Sequence, residues 1–189
     1  MTQFRPNIYK SYYYILVLLS YTCLSCNSQN DIQESSTDQA VSFYKGADLS
    51  YVNEMEDCGA LYKTSEGEIE DPYSIFKQAG ANLVRYRLWH NPNWTNYSNL
   101  EDVKRAIQRA KAHNFKVLLD FHYSDTWADP NQQQIPSAWL AHINDTEVLG
   151  NLLYEYTLTT LNELATLDLT PDIVQVGNEI NPMILQDGD

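Results

Sequence analysis

The chain has 189 residues, enough for one domain with a sizeable core, and its composition of 43% hydrophobic and 20% charged residues is that of a globular protein. Its formal net charge is −13. Such a surface repels phosphate backbones and excludes nucleic-acid binding, whereas 14 Tyr, 5 Phe and 4 Trp favour a neutral ligand such as a sugar.

The first 26 residues have the features of a targeting signal. Arg5 and Lys10 form a basic start, and the apolar stretch from Tyr12 to Tyr21 is too short to span a membrane as a helix. Leu24–Cys26 resembles a bacterial lipoprotein signal in which Cys26 is acylated, although a second cysteine precedes it where leucine is usual. A plain secretory signal is the alternative. We therefore expect a secreted protein, or an outer-membrane or cell-surface lipoprotein of a bacterium that meets the membrane only through a lipid anchor.

Residues 27–40 follow the signal and are predicted to form a flexible tether. They are polar and lack aromatic side chains, so they offer little surface to bury. Cleavage before Cys26 would leave Cys58 as the only free thiol, so we expect no disulfide within the chain.

From residue 41 onward, short apolar runs alternate with helix-like segments, the pattern of parallel β/α units. Asn99 is expected to cap the second helix, and Thr170-Pro171 to end the third. The predicted strands are Lys45–Leu49, Leu83–Leu88, Lys116–Phe121 and Ile173–Val176, and the predicted helices include Pro72–Ala79, Leu100–Ala110 and Leu149–Leu164.

Each predicted strand has one apolar face and one face with ionisable side chains, because successive strand residues point to opposite sides. Desolvated charges of mixed sign need mutual pairing or a functional reason. We expect Arg85 to pair with Asp48 or Asp120. An open doubly wound sheet would bury both faces under helices, so the pattern favours an α/β barrel with its site at the carboxyl ends of the strands. The residues predicted to share the ionisable face are Asp48, Arg85, Arg87, Trp89, Asp120, His122, Gln175 and Glu179.

Asn178 and Glu179 directly follow the fourth strand. In a barrel of parallel strands a carboxylate at this position lines the active site. A general acid needs a raised pKa, which apolar neighbours would supply, and an adjacent amide can bind a sugar hydroxyl. The structural alternatives are a carboxylate that caps a helix start and an asparagine that forms a turn.

Four blocks of sequence closely resemble the endo-β-1,4-galactanases of glycoside hydrolase family 53. They are Gly46–Tyr51 (GADLSY) with Glu54–Asp57 (EMED), Val84–Pro92 (VRYRLWHNP), Leu119–Pro130 (LDFHYSDTWADP) and Val174–Ile180 (VQVGNEI). The resemblance implies a TIM (β/α)8 barrel, of which residues 41–189 would hold roughly the first four β/α units. It also implies β-1,4-galactan of arabinogalactan and pectin as the substrate and partner, and a retaining mechanism.

The same resemblance implies roles for individual residues. Glu179 matches the general acid/base, and the nucleophilic glutamate would follow the seventh strand, beyond this chain. Asn178 matches a residue that bonds the 2-hydroxyl of the sugar being cleaved. Arg87 resembles an arginine that keeps the nucleophile ionised in related barrels.

Further candidate substrate-binding residues come from the loops after the second and third strands. Trp89, Trp127 and Tyr123 offer rings on which sugars stack, or else they pack within the fold. His122 contacts substrate or is a core histidine, and a lone histidine does not indicate a metal site. Asp125 binds sugar hydroxyls or serves as a turn residue.

The expected function is endo-acting, retaining hydrolysis of galactan. No cofactor or metal is expected, with calcium left open for the missing half. Because only four strands and one catalytic carboxylate are visible, we expect the chain to be a fragment that is inactive alone. The alternatives are a mannanase or cellulase of the same clan and a non-catalytic glycan-binding fragment that uses Trp89 and Trp127.

Overall fold

The structure is a computed structural model that describes residues 43–187. The predicted signal of residues 1–26 and the predicted tether of residues 27–40 lie outside the described residues and stay predictions. Within residues 43–187, no helix combines the length and the apolar character that crossing a bilayer requires.

Strands and helices alternate along this part of the chain. Every neighbouring pair of strands is parallel, and the order in the sheet is the order in the chain. The strands are β1 (Gly46–Asp48), β2 (Leu83–Leu88), β3 (Lys116–Phe121) and β4 (Ile173–Val176). The helices are α1 (Val52–Asp57), α2 (Pro72–Gln78), α3 (Leu100–Ala112) and α4 (Thr146–Thr166), with a 3-10 helix at Ser137–His142.

Most of these elements agree with the sequence pattern. Strands β2, β3 and β4 have the predicted bounds, whereas β1 is one residue shorter at each end. Helix α4 begins three residues before the predicted apolar stripe and ends at Thr166, ahead of Thr170-Pro171. Helix α1 and the 3-10 helix were not predicted, because six residues are too few to show a periodic apolar stripe.

Three helices begin at a side chain that accepts backbone N–H groups left without partners in the first turn. Asp71 accepts the amide of Tyr73 at 2.8 Å before α2. Asn99 accepts the amide of Asp102 at 3.0 Å, which confirms the predicted cap of α3. Asp145 caps α4 in the same way. Each such cap contributes about 1 kcal/mol to helix stability.

The two faces of the sheet differ as the alternation of side chains predicts. Helix α3 packs against β2 and β3 on the outer face and buries its apolar stripe there. The outer face forms the core, whereas the inner face carries the ionisable side chains. The fully buried outer-face residues are Val84, Leu88, Val117, Leu119 and Phe121.

Candidate active site

The inner face is held together by one arginine. The guanidinium of Arg85 on β2 pairs with Asp48 on β1 and with Asp120 on β3. It also donates to the Oδ1 atom of Asn178 at 2.8 Å and, more weakly, to Gln175 on β4 at 3.4 Å. One side chain therefore joins all four strands. The predicted pairing of Arg85 with Asp48 or Asp120 is confirmed for both aspartates.

Hydrogen bonds hold both the side chain and the backbone carbonyl of Asn178 at the end of β4. Besides accepting from Arg85, its side chain donates to the carbonyl oxygen of Ala128 in the loop after β3, at 2.7 Å. Its own carbonyl oxygen accepts from the buried amide of Gln133, at 2.8 Å. These contacts hold the turn that follows β4 against the loop that follows β3.

Glu179 comes next and adopts a conformation that favours glycine, with φ +52°. A left-handed backbone costs a non-glycine residue about 1–2 kcal/mol, and such residues concentrate at functional sites. The side chain is exposed and lines a cleft with Pro130, Asn181 and Pro182. Within residues 43–187 it has no hydrogen bond or ion pair. Pro130 and Pro182 are apolar neighbours of the expected kind, and the carboxylate itself is open to solvent.

Gly177 sets the geometry of this turn. Its φ is +85°, and a Cβ atom added there would lie 2.5 Å from Cγ2 of Ile180. We expect Gly177→Ala to lower the free energy of unfolding by at least about 1–2 kcal/mol, from backbone strain and this clash. Gly150 in α4 is the matched control, because a Cβ atom there meets nothing within 4 Å. Gly150→Ala should raise the free energy of unfolding by about 0.5–1 kcal/mol. Urea denaturation measures the free energy of unfolding of both variants. A change of the same sign in the two variants would contradict this prediction.

Arg87 lies in an aromatic cage. Its guanidinium carbon is 4.1 Å from the ring centre of Tyr51, 4.7 Å from that of Trp89 and 4.3 Å from that of Trp127. The residue is only 3% exposed, and its Nε and Nη2 atoms have no hydrogen-bond partner within residues 43–187. Burial lowers the pKa of Arg87, although arginine remains charged at any ordinary pH. Cation–π attraction replaces part of the lost hydration.

The predicted aromatic residues differ in accessibility. Trp89 is 2% exposed and forms the back of the cage, whereas Trp127 is 39% exposed and can meet a ligand. Two exposed rings were not predicted to belong to the site. Tyr51 lies 6.2 Å from Trp127 between ring centres, and Trp94 lies 4.9 Å from Trp89. Their positions in loops carry no periodic signal that would have identified them.

His122 and Tyr123 are both buried, on opposite sides of the sheet. The Nδ1 atom of His122 accepts the amide hydrogen of Ala128. Its Nε2 atom lies 3.1 Å from Asp120 but makes no hydrogen bond within residues 43–187, so a contact of His122 with substrate stays a prediction. Tyr123 stacks on Phe121 and bonds to Thr157 of α4, on the helix side. Packing within the fold is thus the alternative that the structure shows for Tyr123. This corrects the expectation that its ring lines a groove.

Asp125 organises the loops after β2 and β3. One carboxylate oxygen accepts the amide of Asn91, and the other accepts both the amide and the hydroxyl of Ser137. Its carbonyl oxygen accepts the indole N–H of Trp94 at 3.1 Å. These bonds favour the structural alternative for Asp125. A direct bond from Asp125 to a sugar hydroxyl stays a prediction.

His90 makes the stability of the fold depend on pH. Its ring packs against Trp139 and Tyr156, and this burial lowers the pKa of His90 more than the carboxylate of Asp125, 3.3 Å away, raises it. The unfolded state therefore binds the proton more tightly, so His90 stabilises the fold fully above its unfolded pKa of about 6.5 and less as the pH falls below it.

We expect the melting temperature to fall between about pH 7.5 and about pH 5.5, and to fall less in His90→Asn. Asparagine is also polar but does not titrate in this range. Calorimetric scans of both proteins at each pH measure the difference. An equal fall in the two would show that His90 is not responsible.

The described residues include no group of three or more His, Cys, Asp or Glu side chains arranged to hold a metal ion. The carboxyl edge of the sheet presents an exposed carboxylate, a fixed amide, a caged guanidinium and aromatic rings. This combination suits proton transfer on a neutral, hydroxyl-rich ligand.

Comparison with known proteins also indicates that the chain is related to enzymes that act on sugars. Residues 44–189 match the model of glycosyl hydrolase family 53. The chain is 58% identical over 144 residues to an arabinogalactan endo-β-1,4-galactanase of Cellvibrio japonicus, covering 76% of this chain and 38% of that protein. It is 42% identical over 144 residues to an endo-β-1,4-galactanase of Bacillus subtilis, covering 72% and 33%. The chain thus spans between a third and two fifths of the length of these relatives.

Solved structures resemble the fold as well. A fungal β-1,4-galactanase superposes with a TM-score of 0.70 at 41% identity, covering 75% of this chain and 42% of that one. The family 53 catalytic domain of Ignisphaera aggregans does so with a TM-score of 0.70 at 34% identity, covering 77% and 42%. These likenesses confirm the predicted fold class, a TIM barrel of which the four parallel strands form a part.

Proposed function

Because the chain belongs to glycosyl hydrolase family 53, we propose that the protein cleaves β-1,4-galactan internally, with retention of configuration. The observation that carries the proposal is the turn at Asn178 and Glu179. It presents an exposed carboxylate, unpaired within residues 43–187, at the carboxyl end of a barrel strand, in a backbone conformation that costs free energy to hold.

In the first step, Glu179 as the acid gives its proton to the glycosidic oxygen while the leaving galactan departs. A second carboxylate, which the resemblance puts after the seventh strand, forms a bond to the anomeric carbon. In the second step, Glu179 as the base takes a proton from water, whose oxygen displaces that carboxylate. The free sugar leaves and both carboxyl groups return to their starting states.

Two other residues have supporting roles in this proposal. The side-chain nitrogen of Asn178 carries two hydrogens, and Ala128 accepts one of them. The other is available to the 2-hydroxyl of the sugar. Arg87 is proposed to hold the second carboxylate ionised. Its two buried nitrogen atoms without a hydrogen-bond partner among the described residues support this role. The cage of Tyr51, Trp89 and Trp127 leaves the guanidinium few other positions.

The protein is also proposed to act outside the cell, as a secreted enzyme or as a lipoprotein acylated at Cys26. The support is the signal-like sequence of residues 1–26. Export fits a polymeric substrate that does not enter the cell.

A substrate panel tests the proposal. The product of the complete gene is incubated with β-1,4-galactan, β-1,4-mannan and a soluble cellulose, and new reducing ends are measured. We expect cleavage of galactan only, and NMR of the first product should show the β anomer. Comparable rates on mannan or cellulose would favour another glycanase of the clan. Retardation of the protein by galactan in affinity electrophoresis without cleavage would favour a binding protein.

A further inference from the structure

Three clefts follow one another along the loops after β3 and β4. The first contains Glu179 and Pro130. The second begins at the next residue of the chain, Asn131, and extends to Gln134. The third shares Gln134 with the second and ends at Trp94 in the loop after β2. The first and second clefts adjoin where Pro130 is followed by Asn131 and Pro182 by Met183. We call the three clefts together, from the proposed acid to an exposed tryptophan, the extension groove.

The floor of the extension groove is preformed. The amide of Ile135 donates to the carbonyl oxygen of Gln186 at 2.8 Å, and the amide of Gln186 donates to that of Gln133 at 2.6 Å. The buried side chain of Gln133 bonds in turn to the carbonyl oxygens of Asp129 and Asn178. These bonds connect the floor to the turn that carries Glu179. The position of the groove relative to the proposed acid is therefore fixed.

The lining of the extension groove suits a neutral, hydroxyl-rich ligand. Amide side chains supply both donors and acceptors along the second cleft, from Asn131 to Gln134. Among the described residues that line the three clefts there is no lysine or arginine, and three are acidic: Asp125, Glu179 and Asp187. An anionic polymer would therefore be repelled, whereas an uncharged polysaccharide would not.

Trp94 forms an aromatic platform at the far end. The side chain is 56% exposed, yet its indole N–H is bonded to Asp125 and its ring packs against Trp89 at 4.9 Å between centres. Asp125 is itself fixed by Ser137. A ring that is already ordered loses little conformational entropy on binding, so a sugar gains more from stacking on it.

We infer that the extension groove binds additional galactose units of the same chain that is cleaved at Glu179, with Trp94 as the stacking residue of an outer subsite. The inference rests on the proposed function and specifies how long a substrate the site engages. A hydroxyl-rich chain that leaves the cleavage point along the loops after β3 and β4 meets the amides first and the tryptophan last.

The test compares a long and a short substrate in the product of the complete gene. We expect Trp94→Ala to lower the ratio of kcat/KM on polymeric galactan to kcat/KM on galactotriose by about tenfold, the effect of removing one aromatic anchor. Tyr154→Ala is the control, because Tyr154 is similarly exposed at 60% but lies on α4 and lines none of the three clefts. It should change the ratio by less than about twofold.

The outcomes separate this inference from the proposed function. Cleavage of galactan with an unchanged ratio in Trp94→Ala would overturn the extension groove and leave the function intact. If galactan is not cleaved, affinity electrophoresis in galactan decides instead. Retardation that Trp94→Ala loses and Tyr154→Ala keeps would support the groove, and equal migration of all three proteins with and without galactan would overturn it.

Discussion

Replacing Glu179 by Gln should reduce kcat on galactan by about 100-fold to 10,000-fold in the product of the complete gene, the range expected for loss of a general acid/base. Glutamine has nearly the same shape and can still accept and donate hydrogen bonds, but it cannot release a proton to the glycosidic oxygen. Because the side chain of Glu179 is exposed and unpaired within residues 43–187, the folded structure should not change. Reducing-end assays under saturating galactan measure kcat directly.

Binding and stability separate this result from unfolding. The Glu179→Gln protein should still be retarded by galactan in affinity electrophoresis and should melt within about 2 °C of the parent protein, as exposed substitutions usually do. Glu147→Gln, in the first turn of α4, is a matched control of the same chemical change at another exposed glutamate. Full activity of Glu179→Gln would remove Glu179 from the mechanism.

Replacing Arg85 by Met should lower the free energy of unfolding by about 3–5 kcal/mol, because the buried carboxylate of Asp120 would lose the guanidinium and keep only the ring of His122, 3.1 Å away. Asp120 is fully buried, whereas Asp48 and Arg85 are partly exposed, so most of the loss arises at Asp120. The variant also removes the bond to Asn178, and activity should fall with stability. Urea denaturation followed by tryptophan fluorescence gives the free energy.

Two further variants check the cause. Combining Arg85→Met with Asp120→Leu removes both charges and should recover much of the lost stability, because the penalty comes from an unpaired charge. Lys104→Met is the surface comparison. Lys104 also bridges two carboxylates, Glu101 and Glu163, but both are exposed, so the loss should stay below about 1 kcal/mol. A double variant as unstable as Arg85→Met alone would contradict this account.

The sequence predicts the fold well wherever a pattern repeats. Strands β2, β3 and β4 carry alternating side chains over four to six residues, and their bounds agree with the structure. The cap at Asn99 is confirmed because the chemistry of a helix start is local. Helix α1 and the 3-10 helix are too short for a periodic signal. Their positions follow from packing of the loops, which the pattern of a single segment does not contain.

The sequence predicted the ion pairs of the site, but it predicted less well which aromatic side chains are buried. Alternation placed Arg85 beside two aspartates, and both ion pairs form. The same alternation, continued two residues past Phe121, would have placed Tyr123 on the helix side, where it packs. Whether an aromatic side chain is covered depends on residues distant in sequence. Trp89 is buried by other rings, whereas Trp94 remains exposed.

The aromatic cage has a practical consequence for experiments. Three of the four tryptophans of the chain lie in or beside this cage. Trp89 and Trp127 contact the guanidinium of Arg87, and Trp94 packs on Trp89. Indole emission is sensitive to nearby charge and to the removal of water, so intrinsic fluorescence should report occupancy of this surface without any added label. A ligand titration monitored by tryptophan fluorescence would therefore report mainly on the proposed site.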